Sequence, residues 1–306
     1  MDLRQIRYFV AACEEGSLSA AAARLHCTPS GVSQQMSAME ARLGTSLLER
    51  TRRGVNPTAA GWRFYKRCLA VLTSVSEAEM ELEDFDAGSS GTVTAGFAPG
   101  LAKSVLPAAL ARYTDEYPRV DVEIGSGTAD ALVAETSGGA LDFYVGQFAK
   151  PQVGLAASPI GRFPVAMISG KRRGLEQMQP LRLPQVAPLR LSIPASTHSL
   201  RPMIEEAVRN GEILVERKIT IASLSAGLEF VARTDWSSIL PFWIGLGVLD
   251  DDRVTVNPVV EPHLSVELAL IHLAHRPLSR ASRNLYDHFY AELKRCEEEW
   301  NRLTSA

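Results

Sequence analysis

Apolar positions along the chain fall into two regimes, a helical one up to about residue 86 and an alternating strand-and-helix one after it. Leu3, Ile6, Phe9, Val10 and Cys13 recur at three- and four-residue spacing and predict a helix that Gly16 breaks. Ser19 can cap a second helix with Ala21, Ala22 and Leu25 inside. His26-Cys27 makes a tight turn, and Thr28 can cap a third helix with Pro29 in its first position, where a missing N–H costs nothing. Val32, Met36, Met39 and Leu43 form the buried stripe of that helix. Ser30, Ser33, Gln34 and Ser37 fall on its opposite side, and Gly44 ends it. "TSLLERTRRGVNPT" then reads as two short extended pieces around a basic tip. Two short helices, a turn, a polar-faced helix and a basic hairpin predict a winged helix-turn-helix.

Thr58 can cap a long helix to about Asp86. Tyr65, Cys68, Leu72, Val75 and Leu82 keep a heptad-like spacing there. They could pack on their own domain, but the first 57 residues offer little further core, so a pairing helix is expected. "DAGSSG" at 86–91 reads as a hinge.

Beyond it the pattern is α/β. Strands are expected at "VTAGF", "VDVEIG", "LDFYVG", "PVAMIS", "LRLSIP", "ITIA", "SSIL" and "VELALIHL". Helices are expected at "LAKSVLPAALARYTDEYP", "ADALVAETSGG" and about 199–209, 223–233 and 279–302. Such alternation predicts a mostly parallel sheet, and the number of strands predicts two lobes with a ligand cleft between them. The expected organisation is a winged helix-turn-helix DNA-binding domain at 1–58, a linker helix and hinge at 59–90, and a two-lobed α/β module at 91–306. Lobe I would hold about 91–161 and 268–306, and lobe II about 162–267.

Composition adds little for 306 residues with a net charge of −3, but its distribution adds much. Residues 1–67 carry ten Lys and Arg against five Asp and Glu, whereas 68–86 carry six acids and no base. Positive charge is thus concentrated where a phosphate backbone could be met. Four scattered cysteines without a C-x-x-C fit reduced thiols and argue against a disulfide framework or a zinc site. The opening residues do not read as a signal peptide, and no run is long enough for a membrane span. No cofactor motif is present, so none is expected.

These residues resemble a family. "MDLRQIRYFVAACEEGSLSAAAARLHCTPSGVSQQMSAMEARLGTSLLERTRRGVNPTAAG" is similar, position by position, to the N-terminal domain of LysR-type transcriptional regulators. "LPAALARYTDEYPRVDVEI", "GGALDFYVG", "HSLRPMIEEA" and "RPLSRASRNLYDHF" resemble that family's effector-binding domain, more divergently. The resemblance implies a periplasmic-binding-protein-like effector domain in a cytoplasmic bacterial regulator. It also implies a homodimer through the linker helix, often a homotetramer, and a small-molecule inducer bound between two subdomains. The chain departs from the family in three places. Gly31 stands where Ala is usual, through close backbone approach to DNA or simple drift. Cys27 replaces a usual Val, as a small apolar residue or a thiol sensor. Gly100 stands where the family often has a Ser or Thr that contacts effector.

The candidate DNA site follows from the third helix and the hairpin. Gln34 can present its amide to adenine N6 and N7, and Ser30, Ser33 and Gln35 can reach phosphates or base edges. Thr28 and Pro29 place a helix N-terminus that favours a phosphate. Arg50, Arg52 and Arg53 would follow the backbone or enter a minor groove of double-stranded DNA. Arg50 has a second use open to it, bracing the wing through Glu40 or Glu49.

The candidate effector residues are Ala98, Pro99 and Gly100 after the first strand of the second module, Thr128 before its second helix, and Ser196, Thr197, His198 and Arg201. Hydroxyls, helix N-termini and an arginine favour an anion, so a carboxylate-bearing metabolite is expected. Structural uses stay open. Thr128 and His198 could serve as caps, Arg201 could pair with Glu205, and Trp236 and Phe242 could pack in the core. Two rival readings remain, an enzyme and a two-lobed solute-binding protein without specific DNA binding. No G-x-S-x-G, P-loop or metal spacing supports the first, and the N-terminal module speaks against the second.

Overall fold

The computed structural model describes residues 1–52, 54–83, 90–147, 152–194 and 200–305. Helices α1 (Leu3–Glu15), α2 (Leu18–Arg24) and α3 (Pro29–Leu43), the hairpin β1 (Leu48–Thr51) and β2 (Gly54–Pro57), and the long helix α4 (Ala59–Glu83) make a winged helix-turn-helix. Its core gathers Ile6, Phe9, Val10 and Cys13 of α1 with Val32, Met36 and Met39 of α3. Gly16 and Gly44 close α1 and α3 in the left-handed conformation, which glycine adopts without a Cβ penalty. The Ser17 hydroxyl caps α2, so that helix starts at Leu18, before the expected Ser19. Leu43, expected in the buried stripe, is exposed in the last residue of α3.

The heptad residues of α4 correct a larger expectation. Tyr65, Cys68 and Leu72 are buried in the core of their own winged domain, which uses them to cover α1. Among the described side chains of α4, the exposed large apolar ones are Trp62 and Val71, and the side chain of Leu82, also expected in the seam, lies outside the described ones. Burial pushes the Cys68 thiol up to about 11 and that of Cys13 higher still, so both pack as neutral, hydrophobe-like groups.

The remaining elements are β3 (Ser90–Phe97), α5 (Pro99–Ser104), α6 (Leu106–Glu116), β4 (Arg119–Ser126), α7 (Ala129–Ser137), β5 (Phe143–Gly146), β6 (Leu155–Gly170), β7 (Leu181–Arg182), β8 (Leu189–Ile193), α8 (Leu200–Arg209), β9 (Val215–Thr220), α9 (Leu224–Arg233), β10 (Ser237–Pro241), α10 (Phe242–Leu246), β11 (Val254–Glu261), β12 (Ser265–Leu273) and α11 (Arg280–Thr304). The expected single helix from 101, ending before Pro118, is split at Val105, because Pro107 cannot donate to the helical ladder.

The sheet is mixed rather than mostly parallel. β3 pairs in parallel with β4 and β5, and β8 with β9 and β10. The long strand β6 is antiparallel to every partner. Its first half, to Pro164, pairs with β12, and its second half, from Val165, pairs with β10 and β11. β6 thus crosses from one lobe to the other, which its small-residue run "AASPIG" does not advertise. In the parallel units, α5, α7 and α8 follow the C-terminal ends of β3, β4 and β8. This is where open α/β sheets gather their ligand-facing loops.

Candidate nucleic-acid interface and effector residues

The Thr28 hydroxyl accepts from the Gly31 N–H at 3.2 Å and sets the start of α3 with Pro29 in the first turn. Ser30 donates to the same hydroxyl oxygen at 3.4 Å. A Cβ at Gly31 would lie 3.0 Å from that oxygen, so the glycine leaves room for the cap. This is a local reason that the sequence did not offer. Thr28, Pro29, Ser30 and Gln34 are exposed, while Ser33 and Gln35 are half-buried. Among the described residues the Gln34 amide has no partner, so both its ends are open to a base edge.

Two neighbours reach onto this face. The Arg50 guanidinium donates to the Ser33 hydroxyl at 3.3 Å. Gln5, on α1, donates through Nε2 to Oε1 of Gln35 at 2.9 Å. Among the described residues Glu40 takes no arginine. Its Oε1 accepts the N–H groups of Leu47 at 2.7 Å and Leu48 at 2.9 Å, pinning the start of the hairpin to α3. Arg52 is exposed at the hairpin tip, and Arg53 lies outside the described residues. Cys27 is half-buried against the core, its thiol 3.6 Å from the Ala22 carbonyl.

Beneath this surface, Glu14 is almost fully buried, with a side-chain exposure of 2 %. It accepts from Arg24 at 2.7 Å and from the Tyr65 hydroxyl at 2.9 Å, tying the helix-turn-helix to α4. Burial, then the adjacent carboxylate, holds the Tyr65 phenol well above its usual range, so it stays a donor. Neither Glu14 nor Gln5 was singled out by sequence; a carboxylate on the inner side of an otherwise apolar helix was the available signal.

The effector candidates are more dispersed. Pro99 is exposed as the first residue of α5. A Cβ at Gly100 would lie 2.8 Å from Ile244 Cδ1 and 3.2 Å from Trp243 Nε1, so α10 packs where a Ser or Thr would stand. Thr128 caps α7, accepting from the Ala131 N–H at 3.3 Å. Arg201 donates to Glu205 at 2.8 Å, to the Pro194 carbonyl at 3.1 Å and to Thr220 at 3.3 Å. Ser196, Thr197 and His198 lie outside the described residues. Phe242 is core, against Phe163 and Trp300, and Trp236 meets Phe230 edge-on.

A groove of about 430 Å³ runs over the crossing strands, floored by Ala157, Pro159, Gly161 and Ala269. Arg162 and Glu267 form an ion pair at its side, with Arg162 Nε 3.0 Å from the carboxylate. Sequence reasoning missed these residues, since small side chains on a strand carry no chemical signature. No group of His, Cys, Asp or Glu among the described residues is arranged to hold a metal. No helix among them is long and apolar enough to cross a membrane.

Comparison with known proteins matches two parts of the chain. Residues 3–62 match the family model for the bacterial regulatory helix-turn-helix protein, lysR family, and residues 86–294 match that for the LysR substrate binding domain. The chain is 26% identical over 271 residues, 88% of either protein, to the nitrogen assimilation regulatory protein nac of Klebsiella aerogenes. It is 29% identical over 240 residues, 78% of this chain and 77% of the other, to a probable hydrogen peroxide-inducible genes activator of Streptomyces viridosporus. Full-length CbnR, a LysR family regulator solved in complex with its target DNA, has the same fold. It superposes with a TM-score of 0.55 at 21% identity, covering 95% of this chain and 99% of that one.

Proposed function

The chain belongs to the LysR family of DNA-binding transcriptional regulators with an effector-binding domain, and from that premise we propose how its own residues divide the work. The third helix enters the major groove, with Gln34 reading an adenine and Ser30 and Ser33 reaching phosphates or base edges. The N-terminus set by Thr28 and Pro29 faces a phosphate, and Arg50, Arg52 and Arg53 follow the backbone or adjoining minor groove. The observation that carries this is the open, exposed amide of Gln34 on a helix whose start and hairpin are both fixed by named bonds. The basic balance of the first 67 residues supports it.

The regulated form is a homodimer or homotetramer. Among the described side chains of α4, Trp62 and Val71 are large apolar residues that its own domain leaves exposed. Pairing there would present two recognition helices to half-sites on one face of the duplex.

The effector is a small organic anion, a carboxylate-bearing metabolite, held between the lobes. Support comes from the helix starts after β3, β4 and β8, from Pro99, Gly100 and Thr128 there, and from Arg201 in the first turn of α8; Ser196, Thr197 and His198 enter by residue type alone. Gly100 contributes backbone and no hydroxyl. Arg201 reaches a ligand only by sharing a guanidinium already bonded to Glu205.

The test is footprinting on the DNA flanking the protein's own gene, with wild type and Gln34→Ala. Protected half-sites on one face, lost selectively in the variant, are expected. Uniform protection that modest salt abolishes would leave only charge-driven binding.

A further inference from the structure

We propose that Gln5 is a positioning residue for base recognition: by donating to Oε1 of Gln35 it turns the Gln35 amide so that only N–H donors face the DNA. This rests on the reading that the third helix enters the major groove. A glutamine with both amide ends free is suited to adenine, which offers an N6 donor and an N7 acceptor side by side. Gln34 keeps that freedom. Gln35 does not, because its carbonyl oxygen is directed at α1 by the 2.9 Å bond from Gln5. The nitrogen on the other side of the same planar group then points away from α1.

Such a group favours bases that present acceptors, guanine through O6 and N7 or thymine through O4. It disfavours cytosine, whose N4 is a donor. Ser33 is biased the same way. Arg50 donates to one lone pair of its oxygen at 3.3 Å, which leaves the hydroxyl proton free for a phosphate or base acceptor. Gln35 and Ser33, two residues apart on α3, thus each have one acceptor lone pair engaged by a flanking element, which biases both toward donating. Gln5 is half-buried on the first turn of α1 and belongs to neither the recognition helix nor the hairpin. Its contribution to specificity is therefore made through Gln35.

The experiment is selection of bound sites from a random duplex pool by the full-length chain, followed by sequencing. Four proteins are compared: wild type, Gln35→Ala, Gln5→Leu and Gln5→Glu. Gln35→Ala marks the position Gln35 reads by flattening the preference there. Gln5→Leu keeps the bulk and removes the bond, so the preference at that position relaxes by about fivefold, the equivalent of one base contact, while other positions hold. Gln5→Glu supplies an acceptor in place of a donor. The Gln35 amide then turns over and presents its oxygen outward, and the orientation of the preferred base pair at that position reverses. The added negative charge lowers binding to all sequences alike, which leaves base ratios untouched.

A merely structural role for Gln5 would weaken binding without reversing a preference. Sites that remain enriched with unchanged ratios in both Gln5 variants overturn the proposal. So do enriched sites with no position sensitive to Gln35→Ala. If no protein enriches any site, the reading of the third helix itself fails and the proposal falls with it.

Discussion

Replacing Gly100 by alanine should loosen the contact between α5 and α10 at the junction of the lobes. The new Cβ would meet Ile244 Cδ1 at 2.8 Å and the Trp243 indole nitrogen at 3.2 Å. Both partners are buried, at 2 % and 3 % exposure, so neither can swing into solvent. Overpacking of this kind costs about 1–3 kcal/mol, and the single methyl at the tip of Ile244 puts the value at the lower end. Serine should cost less than alanine although it is larger. Among the described residues the buried Trp243 Nε1–H has no partner, and an unsatisfied buried donor costs about 1–3 kcal/mol. A serine Oγ rotated toward that nitrogen would accept from it and recover part of the strain. The assay is urea or thermal unfolding of the three proteins, read by tryptophan fluorescence. At roughly 2–4 °C per kcal/mol for a domain of this size, alanine should lower the midpoint by about 2–6 °C, with serine between it and wild type. An alanine variant as stable as wild type, or a serine variant less stable than alanine, would refute the packing argument.

Three further perturbations have expected outcomes. Glu14→Ala should cost about 2 kcal/mol in the N-terminal unit, because it leaves Arg24 only its longer pairing to Glu15 at 3.3 Å and removes the acceptor for Tyr65; Tyr65→Phe should cost only about 1 kcal/mol in the same urea titration. Gly31→Ala trades helix propensity against crowding of the Thr28 cap at 3.0 Å, so its melting temperature should stay near wild type; a gain in melting temperature with unchanged DNA affinity would sink both the crowding argument and the idea of close approach to DNA. His275 is held below its usual pKa, first by burial and then against the pull of Glu14, with Arg24, Arg276 and Arg7 reinforcing the shift. Its folded form therefore binds fewer protons than its unfolded form, so it contributes stability above about pH 6.5 that is lost as the pH falls below it. Melting curves from pH 7.5 to 5 should fall more steeply for wild type than for His275→Gln, and parallel curves would refute the assignment.

The N-terminal elements were legible because their punctuation is local. Thr28-Pro29, Gly16 and Gly44 each specify a helix end through their own backbone chemistry, and Val32, Met36 and Met39 kept their period. The partner of α4 was not legible. A seam of Tyr65, Cys68 and Leu72 reads the same whether it meets a second chain or α1, and only tertiary packing chose α1. In the second module, alternation revealed the α/β character but not the antiparallel crossing. β6 owes its length to pairing with β12 on one half and β10 and β11 on the other, which "LAASPIGRF" does not encode locally. The exposed strand β9 was read at "ITIA" because its charged half, "VERK", lacks an apolar face. For the site, residue types pointed to Gln34 and the arginines. The bonds from Gln5 to Gln35 and from Arg50 to Ser33 join residues 30 and 17 positions apart and follow only from the fold.

The most direct test of the central claim, that the third helix reads sequence while the arginines hold the backbone, is a salt titration of binding. Fluorescence anisotropy would follow wild type, Gln34→Ala and Arg52→Ala on a footprinted site and on a scrambled duplex. Gln34→Ala should lose about tenfold on the specific site, nothing on the scrambled one, and keep its salt slope. Arg52→Ala should weaken both duplexes alike and lower the slope by about one. Equal losses for Gln34→Ala on the two duplexes would contradict the account.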